Sequence, residues 1–160
     1  MSAVDLFRRS PLPWLLYRTH LSLLKLRAPV TLGVRTLIVD EQDRVLLIRH
    51  SYRPGWYLPG GGVKKWETME EAACRESREE AGIDPIALDR LVGLYANFEI
   101  GRPDHVALYL VRRWRPVSHN SWEIADVAFA PWDDLPPDTT DATRRRVEEF
   151  MGLRPPDNRW

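Results

Sequence analysis

Three glutamates lie close together in the sequence and could bind a metal ion. Glu76, Glu79 and Glu80 are spaced i, i+3 and i+4, which places their side chains on one face of an α-helix. Like charges at this spacing destabilise a helix, so the arrangement favours a cation that offsets the repulsion. Oxygen-only ligands favour a hard divalent ion, Mg²⁺ first and Mn²⁺ second, and Mg²⁺ usually completes its shell with water and substrate phosphates. The spacing therefore indicates a phosphate-ester or phosphoanhydride substrate, with a solvated acidic helix face as the alternative.

A helix and a glycine-rich loop are predicted to hold these glutamates. Thr68 and Glu71 form a capping-box pattern and Gly82 suits the end of a helix, so the sequence predicts a helix over 69–81. Three consecutive glycines at 60–62 precede it and allow the backbone to approach a ligand closely. A glycine triplet alone is a weak signal, because most such clusters are only tight loops.

The rest of the chain is expected to form a sheet with helices packed on it. Apolar runs predict five strands, over 31–39, 44–49, 91–98, 105–113 and 126–131. The first two flank a polar turn at 40–43 and are expected to pair as a hairpin. A final helix is predicted over 139–151, with the arginines at 144–146 facing solvent. Strands and helices in this mixed order indicate an α/β fold.

The composition is typical of one soluble globular domain. The chain has 160 residues, 44% hydrophobic and 29% charged, which excludes a disordered, collagen-like or coiled-coil main body. The 23 basic and 23 acidic residues balance, so a general binder of duplex nucleic acid is not expected. No apolar run reaches the length of a transmembrane segment. A single cysteine, Cys74, fits a reducing, cytoplasmic setting.

The N-terminal residues 1–28 are predicted to be a basic, amphipathic extension. Residues 1–35 carry six basic residues and one acidic residue, a net charge of +5. Leucines recur there at near-helical spacing, as at Leu12, Leu15 and Leu16, which predicts a short helix. This helix is expected to pack against the domain or to form a homodimer contact. The alternative is a basic surface for membrane lipid or a phosphate-rich partner.

The segment 61–83 follows a spacing found in one family of hydrolases. Its charged and glycine positions are Gly61, Glu67, Arg75-Glu76, Glu79-Glu80 and Gly82-Ile83, separated by five, seven, two and one residues. This pattern resembles the signature of the Nudix hydrolase family. The lead-in at 56–60 and the turn at 133–136 resemble the family too. The resemblance therefore covers roughly 31–151.

Two positions depart from the family pattern. Ser77 stands where an aliphatic residue is usual, on the helix side that should face the core, and its hydroxyl can bond the Ala73 carbonyl. Trp66 replaces the usual glycine directly before Glu67 and could alter the loop or offer a stacking surface. Because the three glutamates are intact, some loss of packing and no loss of mechanism are expected.

The resemblance implies a fold and a chemistry. It implies a Nudix domain over 29–155, an α/β/α sandwich around a central mixed sheet, with the motif as a strand–loop–helix unit. Family members hydrolyse a nucleoside diphosphate linked to another group, by attack of water on phosphorus. The metal ligands implied are Glu76, Glu79, Glu80 and the carbonyl of Gly60 or Gly61.

The resemblance also implies roles for the charged residues around the metal. Arg75 would orient the glutamates by ion pairing, and Glu67 would support it. The general base is either Glu80 or Glu123, which lies in the loop before the last predicted strand. An exposed loop charge is the alternative reading of Glu123.

Substrate choice is expected to depend on residues outside the motif. The candidates are Arg49 and Arg53 for phosphates, and Trp56 and Phe98 for stacking on a base. The proline or tyrosine that marks ADP-ribose or dinucleoside-polyphosphate members is absent near Phe98, a weak argument against both subfamilies.

A small nucleotide is the expected substrate, either a nucleoside triphosphate or a sugar-linked diphosphate such as ADP-ribose. One alternative is an enzyme that trims the 5′ triphosphate end of RNA, with the basic extension tracking the phosphate backbone. Another is a non-catalytic nucleotide sensor, which the intact set of three glutamates disfavours.

Overall fold

The computed structural model describes residues 30–98, 103–118 and 121–160. Its strands are β1 (Thr31–Ile38), β2 (Arg44–His50), β3 (Trp56–Tyr57), β4 (Ile83–Pro85), β5 (Arg90–Asn97), β6 (Asp104–Val111), β7 (Trp114–Pro116) and β8 (Ile124–Pro131). Its helices are α1 (Met69–Ala81) and α2 (Asp141–Phe150). The five predicted strands and the helices predicted over 69–81 and 139–151 are confirmed to within two residues at each end. The short strands β3, β4 and β7 were not predicted.

The strands form two three-stranded sheets and one two-stranded sheet. The first sheet has the order β1–β6–β5 and is mixed, because β1 runs parallel to β6 and β5 runs antiparallel to it. The second has the order β3–β2–β8 and is antiparallel. The third is the antiparallel pair β4 and β7. The long connection between β1 and the parallel β6 contains α1 and most of the motif.

The two helices pack on opposite faces of β1. Val34 packs in a cluster with Ala73 of α1, whereas Leu37 packs in a cluster with Val147 of α2. Side chains at odd and even positions of a strand point to opposite faces, so a helix covers each side. The structure confirms the predicted α/β/α class with a mixed sheet.

Helix α1 begins and ends where the sequence predicted. The Thr68 hydroxyl accepts from the Glu71 N–H while the Glu71 carboxylate accepts from the Thr68 N–H, which is the full capping box. Gly82 ends the helix in the left-handed conformation at φ 65°. Ser77 is fully buried, and its hydroxyl donates to the Ala73 carbonyl at 2.8 Å, as expected. The departure from the family pattern therefore leaves no unsatisfied hydroxyl in the core.

The predicted β1–β2 hairpin is wrong. Beyond the 40–43 turn the two strands share one isolated bridge, Val39 to Val45, and then enter different sheets, where β1 pairs with β6 and β2 with β8. Both strands are apolar on both faces, so their sequences carry no alternation that could specify a partner edge. Pairing was decided by strands that lie far away in the sequence.

The expectation that arginines 144–146 face solvent is wrong for Arg146. The Arg146 side chain has no exposed surface; it donates to the Arg159 carbonyl and to Glu149. The reason is that the chain after α2 folds back over the helix. There the Ala96 N–H donates to the Asn158 carbonyl at 2.8 Å and the Trp160 N–H to the Ala96 carbonyl at 2.9 Å. The folded part thus runs past 155 to the last residue.

One sequence-based expectation falls outside the described residues. It is the amphipathic extension at 1–28, with its homodimer or basic-surface role. Among the residues that the structure does describe, no helix is long and apolar enough to cross a membrane.

Candidate active site

The glycine loop lies along the free edge of β1. The Thr36 N–H donates to the Pro59 carbonyl and the Val34 N–H to the Gly61 carbonyl, both at 2.9 Å. Gly60 has φ +143°, and a Cβ there would overlap the Val34 carbonyl oxygen, so only glycine fits. A Cβ on Gly61 would lie 2.5–3.0 Å from the Glu76 carboxylate. The loop is therefore held between β1 on one side and a motif glutamate on the other.

Arg75 joins the loop to the acidic face of α1. Its Nε and Nη2 donate to the two Glu67 oxygens at 2.7 and 2.9 Å, and Nη1 donates to Glu76 at 2.6 Å and to Glu79 at 3.2 Å. A fifth bond runs from Nη2 to the Gly62 carbonyl at 3.1 Å. Hydrogen bonds, those from Arg75 above all, lower the pKa of Glu67 to about 2. The hydrogen bonds to the carboxylates in turn raise the pKa of Arg75. The guanidinium thus fixes the positions of three carboxylates at once.

Glu80 is the most buried of the motif glutamates. Its side chain is 9% exposed, and Oε2 accepts from the Gly60 N–H at 2.7 Å. Burial raises the pKa of Glu80 to about 7, with a further rise from the Glu76 charge, against the lowering effects of Arg35 and the Gly60 N–H. A carboxyl group with this pKa exchanges a proton at neutral pH.

Arg35 was missed by the sequence analysis as a site residue. It lies in the middle of β1, and its Nη1 donates to the Leu58 carbonyl at 2.9 Å and to the Gly60 carbonyl at 2.5 Å. Burial lowers its pKa, as does Arg53, while Glu80 and Glu76 oppose that effect. The signal was available: Arg35 is the one charged residue in the stretch 30–39. A charge in such a stretch needs buried partners.

His50 and Arg53 lie on the other side of Glu80. His50 is 4% exposed, and its Nδ1 is 4.0 Å from Glu80 Oε1. Its Nε2 is 2.6 Å from Arg53 Nη2. Burial, then the charges of Arg53 and Arg35, lower the pKa of His50 to about 2, although the Glu123 carbonyl opposes this. The imidazole is therefore neutral.

Glu123 lies within electrostatic reach of the motif glutamates. Burial raises its pKa, and so do the negative charges of Glu76 and Glu79. Its main chain is fixed, because its carbonyl accepts from the Ser51 N–H at 2.8 Å. The predicted loop carboxylate is therefore near enough to Glu76 and Glu79 for their charges to act on it.

Three of the four predicted substrate-binding residues lie apart from this group. Arg49 pairs with Asp126 at 3.2 Å and covers the Trp56 ring, with its guanidinium 5.3 Å from the ring centroid. Trp56 is 8% exposed and belongs to the core, so it presents no open face. Phe98 is 55% exposed at the end of β5. Arg53 alone joins the Glu80 surroundings, through His50.

The donor set suits a hard divalent cation. Glu76, Glu79 and Glu80 offer carboxylate oxygens, and Gly60 and Gly61 offer carbonyls that each retain a lone pair beyond their present hydrogen bonds. Within the described ranges, no three His, Cys, Asp or Glu side chains already surround one point. The Glu79 side chain is 55% exposed, and its one bond to Arg75, at 3.2 Å, is the longest of the four from that guanidinium to glutamate oxygens. The chemistry of the donors therefore fits Mg²⁺ or Mn²⁺, and binding would need the carboxylates to converge.

This chain is similar in sequence to a known domain family and to two curated proteins. A model of the NUDIX domain matches residues 29–151. A MutT-like protein of Streptomyces ambofaciens is 39% identical over 127 residues, which are 78% of this chain and 73% of that protein. A putative 8-oxo-dGTP diphosphatase of Bacillus subtilis is 40% identical over 65 residues, 41% of this chain. That match spans 43% of the Bacillus protein, less than half its length.

A solved structure is similar to this chain in both sequence and fold. The crystal structure of a MutT NUDIX hydrolase from Burkholderia pseudomallei is 32% identical to this chain, with a TM-score of 0.63. The superposition covers 76% of this chain and 98% of that one. The family model, the Streptomyces relative and the shared fold meet on the same stretch that carries the glycine loop, Arg75 and the motif glutamates. The chain belongs to the NUDIX family.

Proposed function

We propose that this protein is a hydrolase that cleaves a phosphoanhydride bond in a nucleoside diphosphate derivative with the help of a divalent cation. One observation carries the proposal: Glu76, Glu79 and Glu80 share one face of α1, with Arg75 bonded to two of them and the Gly60 N–H bonded to the third. This is an excess of negative charge at a rigid, glycine-lined position. Such a site is suited to a cation and the phosphates that it binds.

Mg²⁺, with Mn²⁺ as a substitute, would be held by the three glutamates and by the carbonyl of Gly60 or Gly61. When bound, the ion would neutralise anhydride oxygens and lower the pKa of a water molecule. The residues of the chain hold the metal-binding carboxylates in place. Arg75 donates hydrogen bonds to Glu76 and Glu79, and the Gly60 N–H donates to one oxygen of Glu80.

Two carboxylates are candidates for the general base. Glu80 has a pKa of about 7, near the value at which a group accepts a proton efficiently at neutral pH. Glu123 also has a raised pKa and faces the motif glutamates. Glu80→Gln removes a proposed metal ligand in either case, so Glu123→Gln decides between them. If Glu123 is the base, Glu123→Gln should lose kcat at every metal concentration, as Glu80→Gln does; if Glu80 is the base, Glu123→Gln should lose much less.

The preferred substrate class is a nucleoside triphosphate. The name of the Bacillus relative, a putative 8-oxo-dGTP diphosphatase, supports a triphosphate. ADP-ribose and the triphosphate end of RNA remain competing substrates. Arg53 is proposed to bind phosphate because it lies beside His50 on the Glu80 side of the site. Arg49 and Phe98 remain proposed contacts, and Trp56 could stack on a base once Arg49 has moved off its ring.

The test is hydrolysis of a substrate panel by the full chain. The panel contains dGTP, 8-oxo-dGTP, ADP-ribose and a triphosphorylated RNA, each with Mg²⁺ and with Mn²⁺, and products are resolved by chromatography. Glu80→Gln is the inactive control. Glu41→Gln, in the exposed turn between β1 and β2, is the matched control for loss of one glutamate. Turnover of a nucleotide that Glu80→Gln loses and Glu41→Gln keeps supports the proposal; no turnover with either ion contradicts it.

A further inference from the structure

A buried histidine connects an arginine to the most buried glutamate of the site. His50 ends β2, and its ring lies between Arg53 on one side and Glu80 on the other. Tyr52 and Tyr57 contact the ring, with centroids 5.0 and 5.3 Å away. The imidazole is therefore enclosed, and each of its two nitrogens has a charged side chain next to it, Arg53 at Nε2 and Glu80 at Nδ1.

The tautomer of His50 follows from the geometry alone. Nε2 lies 2.6 Å from a guanidinium nitrogen of Arg53, and arginine nitrogens only donate hydrogen bonds. Nε2 must therefore be the acceptor and carry no proton. A ring with a bare Nε2 is neutral and has its proton on Nδ1.

That proton is directed toward Glu80. Nδ1 is 4.0 Å from Glu80 Oε1 and forms no hydrogen bond of normal geometry with the described residues. Oε2 of the same carboxylate is already fixed by the Gly60 N–H at 2.7 Å. Since a hydrogen bond needs about 3 Å, a small rotation about the anchored oxygen would close the remaining gap. The Glu123 carbonyl also lies near the ring, but it already accepts from the Ser51 N–H. Because a carboxylate oxygen is the stronger acceptor, the bond from Nδ1 to Glu80 Oε1 is favoured.

We propose that His50 is a positioning residue that links Arg53 to Glu80 as a neutral donor–acceptor relay. Arg53 fixes the ring through Nε2, and the Nδ1–H fixes Oε1 of Glu80 while the Gly60 N–H fixes Oε2. Glu80 is then held at both oxygens, with one orientation available for a cation or a water molecule. This inference rests on the proposed function, because it assigns a role in the same site.

Two substitutions separate the two halves of the relay. The amide of asparagine reaches the position of Nδ1, so His50→Asn keeps a donor for Glu80 and loses the acceptor for Arg53. The amide of glutamine reaches the position of Nε2, so His50→Gln keeps the acceptor and loses the donor. We expect His50→Gln to lower kcat about 10- to 100-fold with little change in KM, the usual effect of removing a group that orients a ligand. We expect His50→Asn to raise KM more than it lowers kcat.

A packing role would give a different result. If the ring only fills space, His50→Phe keeps the volume and the tyrosine contacts, and its activity should exceed that of both amides. Thermal unfolding of each variant separates loss of fold from loss of positioning. His105, a half-buried histidine on β6, supplies the matched controls His105→Gln and His105→Asn, which should leave kcat and KM unchanged.

A spectroscopic measurement tests the relay without any turnover. Long-range ¹H–¹⁵N spectra of the wild-type protein at neutral pH report the protonation of each imidazole nitrogen, and His50→Gln identifies the His50 signals. We expect a protonated Nδ1 and a bare Nε2. A protonated Nε2, or an imidazolium, overturns the inference. A His50→Gln variant with wild-type kcat also overturns it. That result would mean that in the wild-type protein the Nδ1–H donates to the nearby Glu123 carbonyl and not to Glu80. If the wild type hydrolyses nothing, the proposed function fails while the tautomer still decides the relay.

Discussion

Two arginines in this protein are each bonded to glutamates, yet their surroundings are opposite. Arg75 on α1 bonds Glu67, Glu76 and Glu79, and its side chain is 16% exposed. Arg146 on α2 bonds Glu149 and the Arg159 carbonyl, and its side chain is fully buried. The Tyr95 ring covers the Arg146 guanidinium at 4.1 Å. One cluster is open on a face of the molecule, and the other is sealed beneath the C-terminal residues.

The difference in charge distinguishes a binding cluster from a structural one. One positive charge at Arg75 faces the three carboxylates of Glu67, Glu76 and Glu79, so the cluster carries an excess of negative charge without Glu80, which has Arg35 and Arg53 beside it. One positive charge at Arg146 faces one carboxylate, and aromatic faces and a carbonyl complete its surroundings. A balanced, closed cluster has no capacity for a ligand, whereas an unbalanced and partly open one can stabilise a cation. The first three of the five predictions below test this distinction.

The largest expected effect is loss of activity in Glu80→Gln. Because a contact to a metal ion or a transferred proton contributes several kcal/mol to catalysis, kcat should fall roughly 10³-fold or more. Steady-state kinetics with Mg²⁺ and the preferred nucleotide measure this. Near-normal kcat in Glu80→Gln would show that the unbalanced cluster is not the catalytic one.

The same substitution should stabilise the metal-free fold at high pH. Burial raises the pKa of Glu80 from 4.5 to about 7, so the folded protein holds a proton that the unfolded chain releases. Stability should therefore be lost as the pH rises through this window. At pH 8 the ionised group costs up to about 3 kcal/mol, which glutamine removes. Thermal unfolding without metal should favour Glu80→Gln at pH 8 and show no difference below pH 4.5. Added Mg²⁺ should stabilise only the wild type.

The next effect is loss of stability in Arg146→Met. Removal of the cation leaves Glu149 buried without its charge partner, which costs about 3–5 kcal/mol. The melting temperature should fall by roughly 10 °C, while kcat measured below the transition stays near wild type. The double variant Arg146→Met/Glu149→Leu is the control, since it replaces the whole pair with apolar groups and should recover part of the loss. A single variant as stable as wild type would remove the structural role of the sealed cluster.

Two neighbouring glycines should separate fold from activity. In Gly61→Ala the new Cβ meets only the flexible end of Glu76, so the carboxylate moves and kcat falls about tenfold with little loss of stability. In Gly60→Ala the Cβ meets the Val34 backbone, and unfolding becomes easier by on the order of 2–4 kcal/mol. Chemical denaturation and kinetics on both variants measure the contrast. Equal loss of stability in the two variants would contradict it.

The smallest expected effect concerns two left-handed backbone positions. Trp66 has φ +67° and is 92% exposed, whereas Gly152, after α2, has φ +74°. Left-handed backbone disfavours residues with a Cβ, so Trp66→Gly should stabilise the fold by about 0.5–1 kcal/mol and Gly152→Ala should destabilise it by a similar amount. Urea denaturation resolves both changes. If Trp66→Gly is less stable than wild type, contacts of the indole outweigh the backbone strain.

Local sequence patterns were sufficient for the helices and the strands. The capping box at Thr68 and Glu71 and the left-handed Gly82 fixed α1 to the residue, because caps depend on atoms within four positions of each other. The spacing of the three glutamates likewise required only helical periodicity. Family membership followed from these short distances, and so did the expectation that the acidic residues share one face.

The pairing of strands and the burial of charges were decided by tertiary structure. β1 found its partner in β6, more than sixty positions away, and Arg146 was buried because the C-terminal residues cover α2. Arg35 and His50 reached Glu80 only when β1, β2 and the glycine loop had assembled. A sequence specifies near neighbours through backbone geometry. The environment of a charge depends on which distant segments exclude water from it, and only the folded chain sets that.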